Sequence, residues 1–328
     1  MNSLELFKTQ KFYQIDISIL KDLGYDVLLS NRIFDSLLFW KYDILFSYFY
    51  RYSFFAALLA KCFGKKTYFT GGIDSLDSDY ASAFNYKIQA LFFKLCYWVA
   101  DSCIIVSQSD LKNIFKVSSL KKKLSYSEHV INTKLFIADV PKEKIFTSIV
   151  WMGDEGNVVR KGVDKALQIF AELKKIPEFV DYRFVIIGRK GEGEVLVRSI
   201  IDKYNLKGSV ELKGEVSEED KINLLKQSKY YFQLSLYEGF GLAALEALCA
   251  NNIIIHSGKG GLANPIYKEQ LLFDIDNDFD SELLKLVNKL ACFTPITSYD
   301  NLLEYYDIQR RKDDFEAIIV NGKSNYKL

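Results

Sequence analysis

Two glutamates stand eight positions apart, Glu238 and Glu246, with Gly239 and Gly241 between them in the run SLYEGFGLAALEAL (235–248). A strand ending near Leu234 turns through Tyr237, Glu238, Gly239, Phe240 and Gly241 into a helix that carries Leu242, Leu245 and Leu248. The start of such a helix offers unpaired N–H groups and the positive end of a dipole, which suits a phosphate. The glycines let backbone approach that anion closely. Carboxylates repel phosphate, but they accept paired hydrogen bonds from vicinal hydroxyls well. The stretch therefore suits a ligand that joins a sugar, a phosphate and a ribose. The bland alternative is a helix start whose glutamates only complement the dipole.

A second loop, GDEGNVVRKG (153–162), narrows the choice. Arg160 and Lys161, followed by Gly162, sit at the entrance of the helical pattern VDKALQIFAELKK, where a cation opposes the dipole and calls for a compensating anion. A pyrophosphate supplies one, and a solvated pair of surface charges is the alternative. GRKGEG (188–193) follows the strand RFVIIG, yet its spacing departs from G-x-G-x-x-G, so it reads as a flexible loop. His129 and His256 lie near strand ends without a nucleophile at recognisable spacing and read as structural. KKKLSYS (121–127) reads as a solvated basic turn, with contact to a lipid phosphate or anionic acceptor as the sharper alternative.

The elements that must hold these loops alternate in type. Strand-like runs at 25–30, 42–48, 66–70 and 102–107 are separated by helical patterns such as 11–23 and 84–100. The alternation restarts after DVPKEK (139–144) with IFTSIVWMG, RFVIIG, SVELKG, KYYFQLS and NIIIHS. This is the signature of parallel α/β layers, twice over, with a linker at 139–144. In such sheets ligands bind beyond the carboxyl ends of the strands, where the loops above and TGGIDS (70–75) fall.

Composition excludes some classes. A length of 328 residues fits two domains. A net charge of +1 carries no footprint for nucleic acid, although residues 1–140 are mildly basic, with 17 Lys/Arg against 13 Asp/Glu. Cys62, Cys96, Cys103, Cys249 and Cys292 are scattered and show no metal spacing, which predicts buried thiols in a reducing compartment. The N-terminus shows no secretory pattern. ILFSYFYRYSFFAALLAKCFG, from residue 44, carries Arg51 near its middle and reads as a strand and a buried helix, with membrane-surface contact as the minority reading.

Taken together, the run SLYEGFGLAALEAL resembles the E-x7-E signature of retaining glycosyltransferases of the family 4 type. The resemblance extends through most of 145–275, and more weakly through FYQIDISILKDLGYDV, AKCFGKKTYFTGGIDS, ADSCIIVSQSDLKNIF and HVINTKLF. It implies the GT-B fold, two tandem Rossmann-like doubly wound α/β domains facing across a cleft. The domains implied are an acceptor-side domain at 1–142, a nucleotide-sugar domain at 143–292, and a segment at 293–328 packing back on the first. By similarity, Lys161 and Arg160 neutralise the departing diphosphate. Glu238, Gly239, Phe240, Gly241 and Leu242 address the donor sugar and phosphate, Glu246 holds the ribose hydroxyls, and Gly214 and Val216 flank the base.

Two positions differ from many members of that family. Gly153 is followed by Asp154 rather than arginine, and the loop that often carries a histidine here presents Gly71, Gly72 and Asp74. The activity implied is transfer of a hexose from a UDP- or GDP-sugar to a glycan, lipid-linked or protein acceptor, with retention, no metal and no resident cofactor. The expected setting is the cytoplasm, with two further options: peripheral contact at the membrane inner face, and pairing with a partner glycosyltransferase. The alternative is a non-catalytic GT-B partner subunit. A hydrolase using Glu238 and Glu246 fits less well, because a glycosidase has no diphosphate to hold.

Overall fold

The computed structural model describes residues 3–119, 121–137, 140–293 and 300–323. The chain divides into two units, one of Met1–Asn132 with Glu304–Leu328 and one of Thr133–Leu303. Residue 139 of the expected linker, and 294–299 and 324–328 of the expected C-terminal segment, lie outside the described residues.

The first unit holds four parallel strands in sequence order: β1 (Ile44–Tyr48), β2 (Lys66–Thr70), β3 (Ser102–Ile105) and β4 (Leu124–Tyr126). Their side chains alternate between two cores, as strand geometry requires. Phe69, Cys103 and Ile105 face the crossover helices Tyr50–Cys62, Ala83–Val99 and Gln108–Val117. Tyr68 and Ile104 face the other way, against Ile19 and Leu20 of the helix Lys11–Asp22 and against Phe315, Ile318 and Ile319 of the C-terminal segment. One face of this sheet is thus covered by elements from the two ends of the chain.

The strand expected at 25–30 is absent, and the reason is local. Leu23 and Gly24 end the helix Lys11–Asp22 in a Schellman motif, with Gly24 N–H donating to Lys21 O (2.9 Å) and Tyr25 N–H to Leu20 O (3.1 Å). Tyr25 and Val27 are then spent on the helix core rather than on a ladder. Conversely, the basic turn expected at 121–127 contains the strand β4, and Lys123 Nζ donates to the carbonyls of Tyr97 (3.3 Å) and Trp98 (2.9 Å), where a cation suits a helix end. Cys96, Cys103 and Cys249 are buried, but Cys62 is exposed, contrary to expectation, at the last residue of its helix; the Cys292 side chain lies outside the described residues.

Holding the two chain ends to the first sheet is a buried ion pair. Arg311, fully buried, donates from Nε to Asp16 Oδ1 (2.6 Å) and from Nη2 to Asp16 Oδ2 (2.9 Å), while Nη1 reaches the carbonyls of Ser127 (2.6 Å) and Glu128 (3.0 Å). Tyr48 Oη donates to the same Asp16 carboxylate (2.9 Å).

The second unit holds six parallel strands: β5 (Glu143–Ile149), β6 (Arg183–Ile187), β7 (Val210–Gly214), β8 (Ser228–Gln233), β9 (Ile253–His256) and β10 (Leu271–Leu272). Their order is β10-β9-β8-β5-β6-β7. Numbered within the unit this is the Rossmann order, which reverses between its first and fourth strands, here β5 and β8. Both faces are covered: Phe184 and Ile186 of β6 enter the larger core with Phe146, Phe170 and Phe232, and Val185 and Ile187 enter the opposite one with Leu224. Near-continuous apolar strands follow from this two-sided burial.

His256 ends β9 and is buried, and burial pushes its pKa down from 6.5 to about 4. The unfolded chain therefore binds a proton more readily between those values, and stability falls as pH drops through that window. The loss reaches about 3 kcal/mol below pH 4. Urea midpoints at pH 7.5 and 4.5 will differ less in His256→Gln than in the parent chain; equal differences would remove His256 from the acid response.

Candidate functional site

The strand order reverses between β5 and β8, the position at which sheets of this kind bind ligands beyond their carboxyl ends, and the two loops singled out by their chemistry leave from those ends. From β5 the chain passes into a short helix, Glu155–Arg160, that the loop reading of 153–162 missed. Asp154 caps it, accepting from Asn157 N–H (2.6 Å). Arg160 therefore lies in a last turn, where a cation is favoured, and its guanidinium donates to Asn157 Oδ1 (2.7 Å). The argument that its charge demands an anion does not hold for Arg160.

For Lys161 it does. Next along is Gly162, left-handed (φ 69°), which starts the helix Val163–Leu173 without a side-chain cap. A Cβ on Gly162 would lie 2.0 Å from the carbonyl oxygen of Leu234, so only glycine lets the two loops close, as Leu236 N–H does on Arg160 O (2.8 Å). This closure brings Lys161 Nζ to 2.7 Å from Glu238 Oε2. The same oxygen accepts from Gln233 Nε2 and Ser235 Oγ, each at 3.1 Å. Beside them the helix Leu242–Cys249 begins at Gly241, also left-handed and also without a side-chain cap. A cation, a carboxylate held by three donors and two uncapped helix tips thus meet at the reversal.

The backbone of Glu238 is fixed by a loop the sequence reading did not weigh, SGKGGL (257–262). Gly261 N–H donates to Glu238 O (2.6 Å), and at Gly260 (φ 58°) a Cβ would stand 2.2 Å from that oxygen. Gly260→Ala is expected to cost about 2 kcal/mol or more, from left-handed strain and backbone collision. The denaturant midpoints of the variant and its parent measure the cost, and equal midpoints would mean that the loop 257–262 yields without strain. The glycine pair after β9 was the available signal.

Glu246 is buried on the helix Leu242–Cys249, and Lys221 Nζ contacts both its oxygens at 2.8 Å while also meeting Glu218 (3.1 Å). Lys221, the first cation after the acidic start SEED of its helix, was not anticipated. Both glutamates flank Tyr231 of β8: their charges add to the burial that raises the pKa of its phenol. Gly214 ends β7 with φ 77° and is crossed by the Lys190 stem, and Val216 packs on the Leu224 core. The segment 188–193 is not a free loop: Met152 N–H donates to Arg189 O (2.9 Å), Glu192 N–H donates to Gly153 O (3.1 Å), and its glycines lie against the backbone of 150–154.

Gly71, Gly72 and Asp74 belong to the first unit, at the end of β2. Asp74, exposed, opens a 3-10 turn, and buried Asp110 accepts from Ile73 N–H (3.3 Å) to hold the loop. Beside Gly71 sits Phe49, half exposed at the end of β1 with φ 65° and ψ 142°. A bulky residue is strained there, and such strain gathers at sites where ligands bind. No sequence pattern marks it.

Residues 156–290 match the family model described as "Glycosyl transferases group 1". Among curated proteins, the chain is 32% identical over 163 residues to a GDP-mannose:cellobiosyl-diphosphopolyprenol alpha-mannosyltransferase of Xanthomonas oryzae pv. oryzae, covering 43% of this chain and 40% of that protein. It is 30% identical over 105 residues to one component of the human phosphatidylinositol N-acetylglucosaminyltransferase, covering 32% and 21%. The chain spans 40% or less of the length of these relatives. Among solved structures it resembles Anabaena Alr3699/HepE in complex with UDP (TM-score 0.70, 13% identity, 88% of this chain and 82% of that one). It also resembles sucrose-phosphate synthase of Thermosynechococcus elongatus (TM-score 0.61, 17% identity, 98% and 78%). The fold is GT-B.

Proposed function

We propose that this chain, whose residues 156–290 carry a glycosyl transferases group 1 domain on a GT-B fold, is a retaining glycosyltransferase of the family 4 type that uses a UDP- or GDP-sugar. The carrying observation is the meeting of Lys161, Glu238 and two uncapped helix tips at the reversal of the second sheet. The diphosphate lies against the helix tips and Lys161. Its charge grows as the bond from the anomeric carbon to the phosphate oxygen breaks, and fixed positive groups stabilise that growth without reorganising. The acceptor oxygen attacks the same face, and its proton passes to the departing phosphate. Glu238 and Glu246 belong to the E-x7-E motif and accept from sugar and ribose hydroxyls, with Gly239, Phe240 and Leu242 lining the phosphate and Gly214 and Val216 the base. Lys161 and the helix tips answer the diphosphate charge, so the reading asks for no metal.

Gly71, Gly72 and Asp74 serve the acceptor side, and the acceptor is a glycan, lipid-linked or protein. The relative named for a diphosphopolyprenol substrate supports the lipid-linked choice, and with it work in the cytoplasm against the inner face of a membrane. The second reading, a non-catalytic partner subunit, draws support from Asp154: it caps a helix where many family members place a phosphate-binding arginine. Incubating the purified chain with UDP- and GDP-sugars and following donor hydrolysis separates the two. Slow release of nucleotide diphosphate supports the enzyme; binding of UDP or GDP with no release under any donor supports the partner.

A further inference from the structure

The first unit turns an apolar, cationic face to solvent that its own fold does not use. The helices Tyr50–Cys62 and Ala83–Val99 pack side by side on one face of the first sheet, burying Phe54 and Ala57 of one and Phe93, Cys96 and Tyr97 of the other. Their outer sides also carry large apolar side chains. Tyr52 (78% exposed) and Phe55 lie one turn apart on the first helix, and Phe84 (71%), Leu91 and Trp98 (69%) recur every seven residues on the second. The turn Ile33–Leu37 packs on the first of these helices and exposes Phe34 (78%), and the following turn Phe39–Lys41 exposes Trp40 (66%) while its Phe39 stacks on Phe63 at 4.3 Å. Scattered exposed apolar residues are ordinary, but a largely aromatic set spread over four neighbouring elements is not.

Charge says what covers it. The two helices contain Arg51, Lys61, Lys87 and Lys94 and no acidic residue, although Lys61 is paired with Asp101 (2.9 Å), and the segment 28–43 holds Arg32 and Lys41 against Asp35 and Asp43, so the cations the face offers lipid are chiefly Lys87 and Lys94. Lys87 and Lys94 are exposed and alternate along the outer stripe with Phe84, Leu91 and Trp98. Exposed Trp and Phe interleaved with cations match the interface of an anionic bilayer, where rings enter the headgroup layer and ammonium groups meet lipid phosphate. No helix of the described residues is long and apolar enough to cross a membrane, so contact along the surface is the mode this face offers. We propose that this face docks the chain on an anionic lipid surface, with Trp40 and Trp98 in the interface. The proposal stands whether or not the chain transfers sugar.

Two of the three tryptophans lie on the face, so Trp151→Phe leaves only Trp40 and Trp98 as reporters. The test uses the full chain, without nucleotide, and vesicles of phosphatidylcholine alone or with about one third phosphatidylglycerol. Expected are flotation with the anionic vesicles only, a shift of the emission to shorter wavelength on binding, and weakening by salt. Lys87→Glu with Lys94→Glu will lower the partition coefficient at least about tenfold, and Phe34→Ser with Phe84→Ser will lower it comparably, with circular dichroism unchanged in both. Failure to float, or flotation unaffected by either double variant, overturns the proposal. So does a stable dimer by light scattering whose tryptophans are already shielded without lipid, which would assign the face to a second copy of the chain.

Discussion

Lys161→Ala will lower donor turnover by about 10²–10³-fold while leaving the fold in place. The size follows from what the ammonium does. At about 4 Å and an effective dielectric near 20, one charge stabilises another by about 4 kcal/mol, and a thousandfold in rate corresponds to about that much. The stability cost is smaller. Glu238 loses its cation but keeps Gln233 and Ser235 as donors, and both partners retain some exposure, so about 1–2 kcal/mol is expected.

Glu238→Ala makes the informative contrast. In the free chain Glu238 neutralises Lys161 across 2.7 Å, so deleting it frees the ammonium. Affinity for UDP or GDP alone will hold or rise, while turnover falls because a hydroxyl acceptor is gone. Lys161→Ala will weaken nucleotide diphosphate binding instead. Calorimetric titration of both variants, beside donor hydrolysis, reads the two effects apart. If Lys161→Ala hydrolyses donor within about threefold of the parent, the diphosphate is not held where the proposed mechanism places it.

What could be read beforehand was local. The strand Ser228–Gln233, the glycine turn and the helix Leu242–Cys249 are encoded within one window, and so was the Glu238 to Glu246 spacing. The partners of those glutamates were not, because Lys161 is 77 residues from Glu238 and Lys221 is 25 from Glu246. Those pairs depend on strand order, and nothing in hydrophobic periodicity says that β8 returns to lie beside β5. The misread stretches share a cause: side chains already committed elsewhere. Tyr25 and Val27 look like strand residues but complete a helix cap and its core. EGNVVR looks like a loop because it is short and contains Gly156, yet the Asp154 cap is enough to start a helix. Phe49 carries no sequence mark at all, since its strain is visible only in the backbone angle.

The longest-range pairing among the described residues named above, Asp16 with Arg311, makes the second large expected effect. Arg311→Ala will destabilise the chain by about 3–5 kcal/mol, because it strands a buried carboxylate as well as the carbonyls of Ser127 and Glu128. Arg311→Lys will not rescue it. A single ammonium cannot reproduce the fork that grips Asp16 at 2.6 and 2.9 Å while reaching Ser127 O at 2.6 Å, so a loss of about 2 kcal/mol or more remains. The decisive variant is Asp16→Leu with Arg311→Met. Removing both charges relieves the desolvation that made the pair costly, but Tyr48 Oη and the two carbonyls lose partners, so recovery will be partial. A double-mutant cycle by urea denaturation is expected to show coupling above about 2 kcal/mol. Limited proteolysis will then cut first near the C-terminal segment in the single variants, since that segment and the helix Lys11–Asp22 cover the same face of the first sheet. A cost below about 1 kcal/mol for Arg311→Ala would mean that the apolar contacts of Phe315, Ile318 and Ile319 hold the segment without the ion pair.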